Sequence, residues 1–174
     1  PTAPAPAQQT VVPSATGAVI DHRVRVGPSE VERATGSIWG LGATSRLNEW
    51  LSARARISGG TLTARSAPGD DRGFSEAEVT MLLTPDSWLT VEAGPVTRVL
   101  ESSLVRQRWV EMRIGAEAEI SLLDKVLRGT LRMSVAPMVS VTGQPSPDLA
   151  VAMGTGLEYD RRRFTAALDY EFHR

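Results

Sequence analysis

Near the C-terminus the chain reads Arg163-Phe164-Thr165-Ala166-Ala167-Leu168-Asp169-Tyr170-Glu171-Phe172. In an extended strand successive side chains point to opposite faces. Phe164, Ala166, Leu168, Tyr170 and Phe172 therefore share one face, and Thr165, Ala167, Asp169 and Glu171 share the other. A strand that is apolar on one side, charged on the other and aromatic at its end can close a barrel in a membrane. It can equally close one in water.

Upstream, the same alternation recurs from Gly36 onward and predicts eight strands, at 36–46, 49–60, 74–84, 87–98, 107–121, 125–142, 148–160 and 163–173. Tight connections at Leu47-Asn48, Thr84-Pro85-Asp86-Ser87, Leu123-Asp124 and Arg161-Arg162 alternate with longer ones at 61–73, 99–106 and 143–147. Four hairpins in series, with neither βαβ spacing nor a helical period, make an all-β, up-and-down antiparallel barrel of about eight strands. Closure is expected because it removes exposed edges. Residues 1–35 are expected to be a Pro/Ala-rich tether with one short candidate strand at Ala18–Val26, and the barrel to occupy 36–174.

One face of each strand is apolar and the other charged. Val110, Met112, Ile114, Ala116, Ala118 and Ile120 oppose Glu111, Arg113, Gly115, Glu117 and Glu119. Leu127, Leu131, Met133, Val135, Val139 and Val141 oppose Arg128, Thr130, Arg132, Ser134 and Ser140. Two barrels fit this pattern. The apolar face meets lipid in one, and is the core of a soluble barrel in the other.

Three features favour lipid. Gly40, Gly42, Gly94, Gly115, Gly154 and Gly156 all lie on the charged face, where a narrow lumen has least room. Trp50, Trp88, Tyr159 and Phe164 gather by the tight turns. Trp39, Phe74, Trp109 and Phe172 lie toward the opposite ends, so that, with Tyr170, two aromatic belts flank an aliphatic band. The polar face also interleaves opposite charges: Arg54 and Arg56 beside Glu76 and Glu78, and Glu117 and Glu119 beside Arg128 and Arg132. Two-residue turns at Leu123-Asp124 and Arg161-Arg162 set Gly115 opposite Arg132 and Gly154 opposite Asp169, and a register for the first hairpin sets Gly40 and Gly42 opposite Arg56 and Arg54. The expected lumen residues are these charges together with Glu92, Glu111, Arg113, Glu158, Asp169 and Glu171.

On these residues the chain resembles small bacterial outer-membrane β-barrel proteins over about 36–174. The most specific part is the closing strand, which is similar to that family's assembly signal at Thr165, Tyr170 and Phe172. Ala167 stands where glycine is usual, and His173-Arg174 follow the last aromatic. The resemblance implies residence in the outer membrane of a Gram-negative cell envelope and handling by the barrel-assembly machinery.

Composition narrows the function. The charge is balanced, 19 basic residues against 20 acidic, so nothing points to nucleic acid. Without cysteine there is no disulfide or thiolate metal site. His22 and His173 are not arranged with Ser and a carboxylate as a triad, 69–73 lacks the spacing of a calcium loop, and the GxG at 154–156 sits inside a strand. No catalytic, cofactor or metal residue is expected. The leading expectation is a non-enzymatic membrane anchor or scaffold, with lipid as its neighbour and residues 1–26 as a candidate contact for a protein partner. The alternatives are a soluble, lipocalin-like carrier of an apolar ligand and an outer-membrane lipid-modifying enzyme.

Overall fold

The computed structural model describes the backbone of residues 11–26, 29–65, 70–103, 106–123, 126–142, 149–161 and 164–173. Side chains are described over 11–23, 32–65, 70–103, 106–122, 126–142 and 149–159. These residues form one all-β meander: β1 (Val11–Val26), β2 (Ser29–Arg46), β3 (Leu51–Ala64), β4 (Arg72–Asp86), β5 (Leu89–Glu101), β6 (Arg106–Leu123), β7 (Leu127–Val141), β8 (Ala150–Arg161) and β9 (Phe164–His173). Each strand pairs antiparallel with the next, and the sheet curls into a half-barrel.

The sheet begins earlier than the alternation suggests. Residues expected as tether form β1, paired with β2 from Val11↔Ser45 to Val26↔Ser29. Pro13 does not prevent this, because β1 is the outermost strand of the described sheet and an edge tolerates a missing N–H. The tether expected for residues 1–10 lies outside the described residues.

Curvature comes from glycine. A Cβ on Gly94 would stand 2.0 Å from the Val79 carbonyl oxygen, and one on Gly36 only 1.9 Å from that of Thr61. Neighbouring strands bend across these positions so closely that only hydrogen fits. The lumen glycines expected to make room for arginine thus act, at Gly94, on the backbone itself.

Registers keep the expected parity but slide by two residues. Gly42 faces Arg56 and Gly40 faces Ser58. Gly115 faces Ser134, while Arg132 faces Glu117. Gly154 faces Glu171, and Asp169 faces Gly156. The first slide has a visible cause. Asn48 Oδ1 accepts the N–H groups of Trp50 and Leu51, both at 2.9 Å, so the side chain takes the turn over and enlarges it to four residues.

One face change breaks parity. In β7 the register shifts where Met112↔Met138 gives way to Ile114↔Val135, around Pro137. Proline cannot donate to the ladder, and a bulge admits one extra residue. Beyond it Val139 and Val141 are buried, correcting the expectation that they share the exposed face of Leu131 and Met133.

Candidate functional site: the ion-paired concave face

A single curled sheet can bury side chains only on its concave side. Glu78 (5% exposed), Glu92 (8%), Thr80 and Ser134 are buried there, and they share their face with Arg54, Arg56, Arg98, Arg113 and Arg132. Each buried carboxylate meets guanidinium. Arg54 spans from β3 to β5, with Nη2 donating to Glu92 Oε2 at 2.8 Å and Nε 3.3 Å from Glu78 Oε1. Arg56 Nη2 donates to Glu78 Oε2 at 3.1 Å and lies 3.8 Å from Glu76. Arg98 donates to Glu76 from Nε at 2.9 Å and Nη2 at 2.6 Å, and its guanidinium lies 5.7 Å from the centre of the Phe74 ring. Arg113 pairs with Glu111 at 2.5 Å, Arg132 with Glu117, and Arg128 with Glu158 and, at 3.4 Å, with Glu119.

Pairing on this scale is what low-dielectric burial requires, since an isolated buried charge costs several kcal/mol, on the order of its effective desolvation penalty. The arrangement leaves a cavity of about 70 Å³ lined by Arg54, Arg56, Glu78, Glu92, Arg113 and Arg132. Its walls are charged groups already engaged with one another.

The expected lumen residues Arg54, Arg56, Glu76, Glu78, Glu92, Glu111, Arg113, Glu117, Glu119, Arg128, Arg132 and Glu158 fall on this one face. Asp169 and Glu171 take register positions opposite Gly156 and Gly154, and their side chains lie outside the described residues. Arg98 was not among the expected residues, although it shares the parity of Glu92. Arg72, which donates to Glu32 at 2.8 Å, was missed as well.

Toward the end of the sheet that carries the 65–71, 102–105 and 142–149 connections, the concave face turns apolar. Ala34, Leu62 (1% exposed), Phe74 and Leu100 form one cluster with Ile20 and Ile38 packed against it. Ala136, Val139 and Val141 form another, with Trp109 and Ala150 against it. Phe74 and Trp109 were expected in an outer aromatic belt, and here they point inward. Their parity carries the signal: Phe74 is in phase with Glu76, and Trp109 with Glu111.

The convex face is the reverse. Trp39 (72% exposed), Leu41, Ile57, Val79, Met81, Ile114, Leu131, Met133, Met153 and Leu157 are exposed. Trp50, Trp88 and Tyr159 are exposed too, at or beside the short turns. Phe164, Tyr170 and Phe172 lie in β9, whose side chains are outside the described residues. On the convex face of β2 to β8 no charged residue interrupts 35–45, 51–63, 73–85, 89–99, 110–122, 127–137 or 151–159. His22 is half-buried on the concave side opposite Ala34, and the side chain of His173 lies outside the described residues.

Comparison with protein-family models, curated proteins and solved structures finds no match.

Proposed function

We propose that this chain is a non-enzymatic β-barrel protein of the outer membrane, acting as a membrane anchor or scaffold around a lumen filled by ion pairs. The observation that carries the proposal is the inverted distribution of polarity. Charge is gathered and paired on the concave face, while the convex face is apolar and free of charge between its rims. Water rewards the opposite arrangement, and lipid rewards this one. Dimensions agree: in β6 the uncharged stretch 110–120, at ~3.4 Å per residue and a tilt of ~40°, rises roughly 25 Å, the height of an outer-membrane apolar band. An anchor fits better than a pore because Arg54, Glu78 and Glu92 occupy the space a channel would need.

A soluble, lipocalin-like carrier would need an apolar hollow and a charged outside. The charged lining of the cavity weighs against it. Residence in a Gram-negative outer membrane would bring the chain to the barrel-assembly machinery and to lipid as its constant neighbour.

Detergent dependence tests the proposal. Purified protein is expected to be monodisperse in detergent micelles and to aggregate when the detergent is removed. A monodisperse monomer in plain buffer would overturn it.

A further inference from the structure

Among the described residues β1 pairs on one side only, with β2, and its other edge is free. Pro13 shows which groups that edge presents. Proline has no N–H for a ladder, so in a paired strand its nitrogen turns away from the partner. Pro13 lies opposite Ala43, and backbone groups alternate sides along a strand, so Val11, Ala15, Gly17 and Val19 also aim their N–H and C=O groups outward. In hydrocarbon these groups need a partner, because no water reaches them.

Side chains at this edge are uncovered as well. Residues 11–19 are exposed on both faces: Val12 (57%) on the concave side, Val11 (59%) and Val19 (85%) on the convex. No charge occurs from Val11 to Ile20. On the convex face the small residues Ala15 and Gly17 stand beside Trp39. Its indole leans from β2 over Gly17, where a Cβ would stand 2.8 Å from Cζ3 of the ring. A large apolar side chain arriving alongside Gly17 meets that ring.

Strand direction narrows what can arrive. β1 and β9 run the same way, so a strand running opposite to both pairs antiparallel with either. β9 itself could meet β1 only in parallel. A second copy laid antiparallel along β1 would stand inverted in the membrane. Residues 1–10 carry proline at 1, 4 and 6, which removes donors that a central strand needs.

We propose that the free edge of β1 receives an extended segment of a partner protein, antiparallel to β1, uncharged alongside Val11–Ile20 and carrying large apolar side chains on its convex side. Backbone hydrogen bonds give such strand addition its affinity, and the pockets between alternate side chains give it specificity. The inference rests on the anchor reading above and deepens it: the sheet holds its partner by extending its own wall.

The test uses the full chain in neutral detergent micelles and, as probe, a synthetic peptide of residues 35–46, the segment that pairs antiparallel with the inner side of β1. Amide hydrogen exchange is followed by NMR. In the chain alone, the amides of Ala15, Gly17 and Val19 are expected to exchange faster than those of Ser14, Thr16 and Ala18. The peptide is expected to abolish that difference, and a peptide of the same composition in scrambled order is not. Slow exchange at Ala15, Gly17 and Val19 without peptide would show that the chain closes this edge itself and would overturn the site. Exchange unchanged by the peptide would overturn it too, as would a peptide that displaces β2 and leaves those three amides fast. Ala15→Pro/Val19→Pro removes two outward donors and spares the β2 ladder. It should weaken peptide binding roughly thirtyfold, the worth of two net hydrogen bonds, and undiminished binding would place the peptide elsewhere. The exchange pattern of the parent chain decides the matter if that variant does not fold. Vesicle flotation separates the two levels. Protein that fails to float refutes the membrane reading, whereas protein that floats and ignores the peptide refutes only this site.

Discussion

Individual side chains on the concave face differ sharply in what they hold. Glu78 is nearly sealed and lies between Arg54 and Arg56. Removing its carboxylate leaves two guanidiniums short of a partner in a low-dielectric interior, where breaking a pair costs far more than the pair itself is worth. Glu78→Leu is therefore expected to lower unfolding stability by about 3 kcal/mol, read as a shift in the urea midpoint in detergent. Glu119 lies 3.4 Å from Arg128 with its side chain 37% exposed. Glu119→Leu should cost less than ~1 kcal/mol, as water-screened pairs do. Equal losses in the two variants would show that burial does not set the strength of these pairs. The pairing of Arg54 and Arg56 with Glu78 was legible in the sequence, because adjacent strands of a meander must bring those residues together. That Glu92 joins them was not, since Arg54 reaches it across an intervening strand.

Among the elements, β7 shows how a single residue redirects a strand. Up to Val135 its alternation places Leu131 and Met133 outward. After Pro137 the phase changes, and Val139 and Val141 pack beside Trp109. Deleting Pro137 removes the extra residue, so that Ala136 faces Arg113 and Met138 faces Met112 in one unbroken ladder with Val139 and Val141 still inward. The deletion is therefore expected to cost much less than Val139→Ala/Val141→Ala, which removes four buried carbons at ~0.8 kcal/mol each, about 3 kcal/mol in all, read from urea unfolding in detergent. A deletion as costly as that double variant would show that the bulge itself holds the valines inside. β1 teaches a related lesson. Its proline and small residues read as tether, yet backbone pairing with β2 along its length outweighs weak strand propensity.

At the scale of the whole molecule, the decisive quantity is which medium the convex face meets. Ile114 lies near the middle of the uncharged stretch of β6 and is 45% exposed. In water, an arginine at an exposed strand position changes little. In a bilayer midplane it costs about 2–4 kcal/mol. Ile114→Arg is accordingly expected to lower folding stability in phospholipid vesicles by that amount while leaving the secondary structure in detergent intact. No loss in vesicles would contradict a lipid-facing surface. Among the described residues, nine strands in alternating directions leave β1 and β9 running the same way. In lipid the outer N–H and C=O groups of both need partners, because hydrocarbon offers none.

The amino-acid sequence alone determined the period of two, the division of each strand into an apolar and a charged side, and the interleaving of Arg with Glu. These are local properties, written in every second residue. It also contained the inward phase of Phe74 and Trp109, which an aromatic's usual place at an interface obscured. Tertiary structure decided the rest. Curvature, set where Gly36 and Gly94 let backbones approach, made the charged side concave and the apolar side convex. The Asn48 turn moved the first hairpin register by two residues, which preserves faces but changes partners. The Pro137 bulge changed faces outright. Parity survives any even shift, so faces could be read from the chain. Partners and concavity depend on how distant strands bend around one another, and only the assembled sheet fixes that.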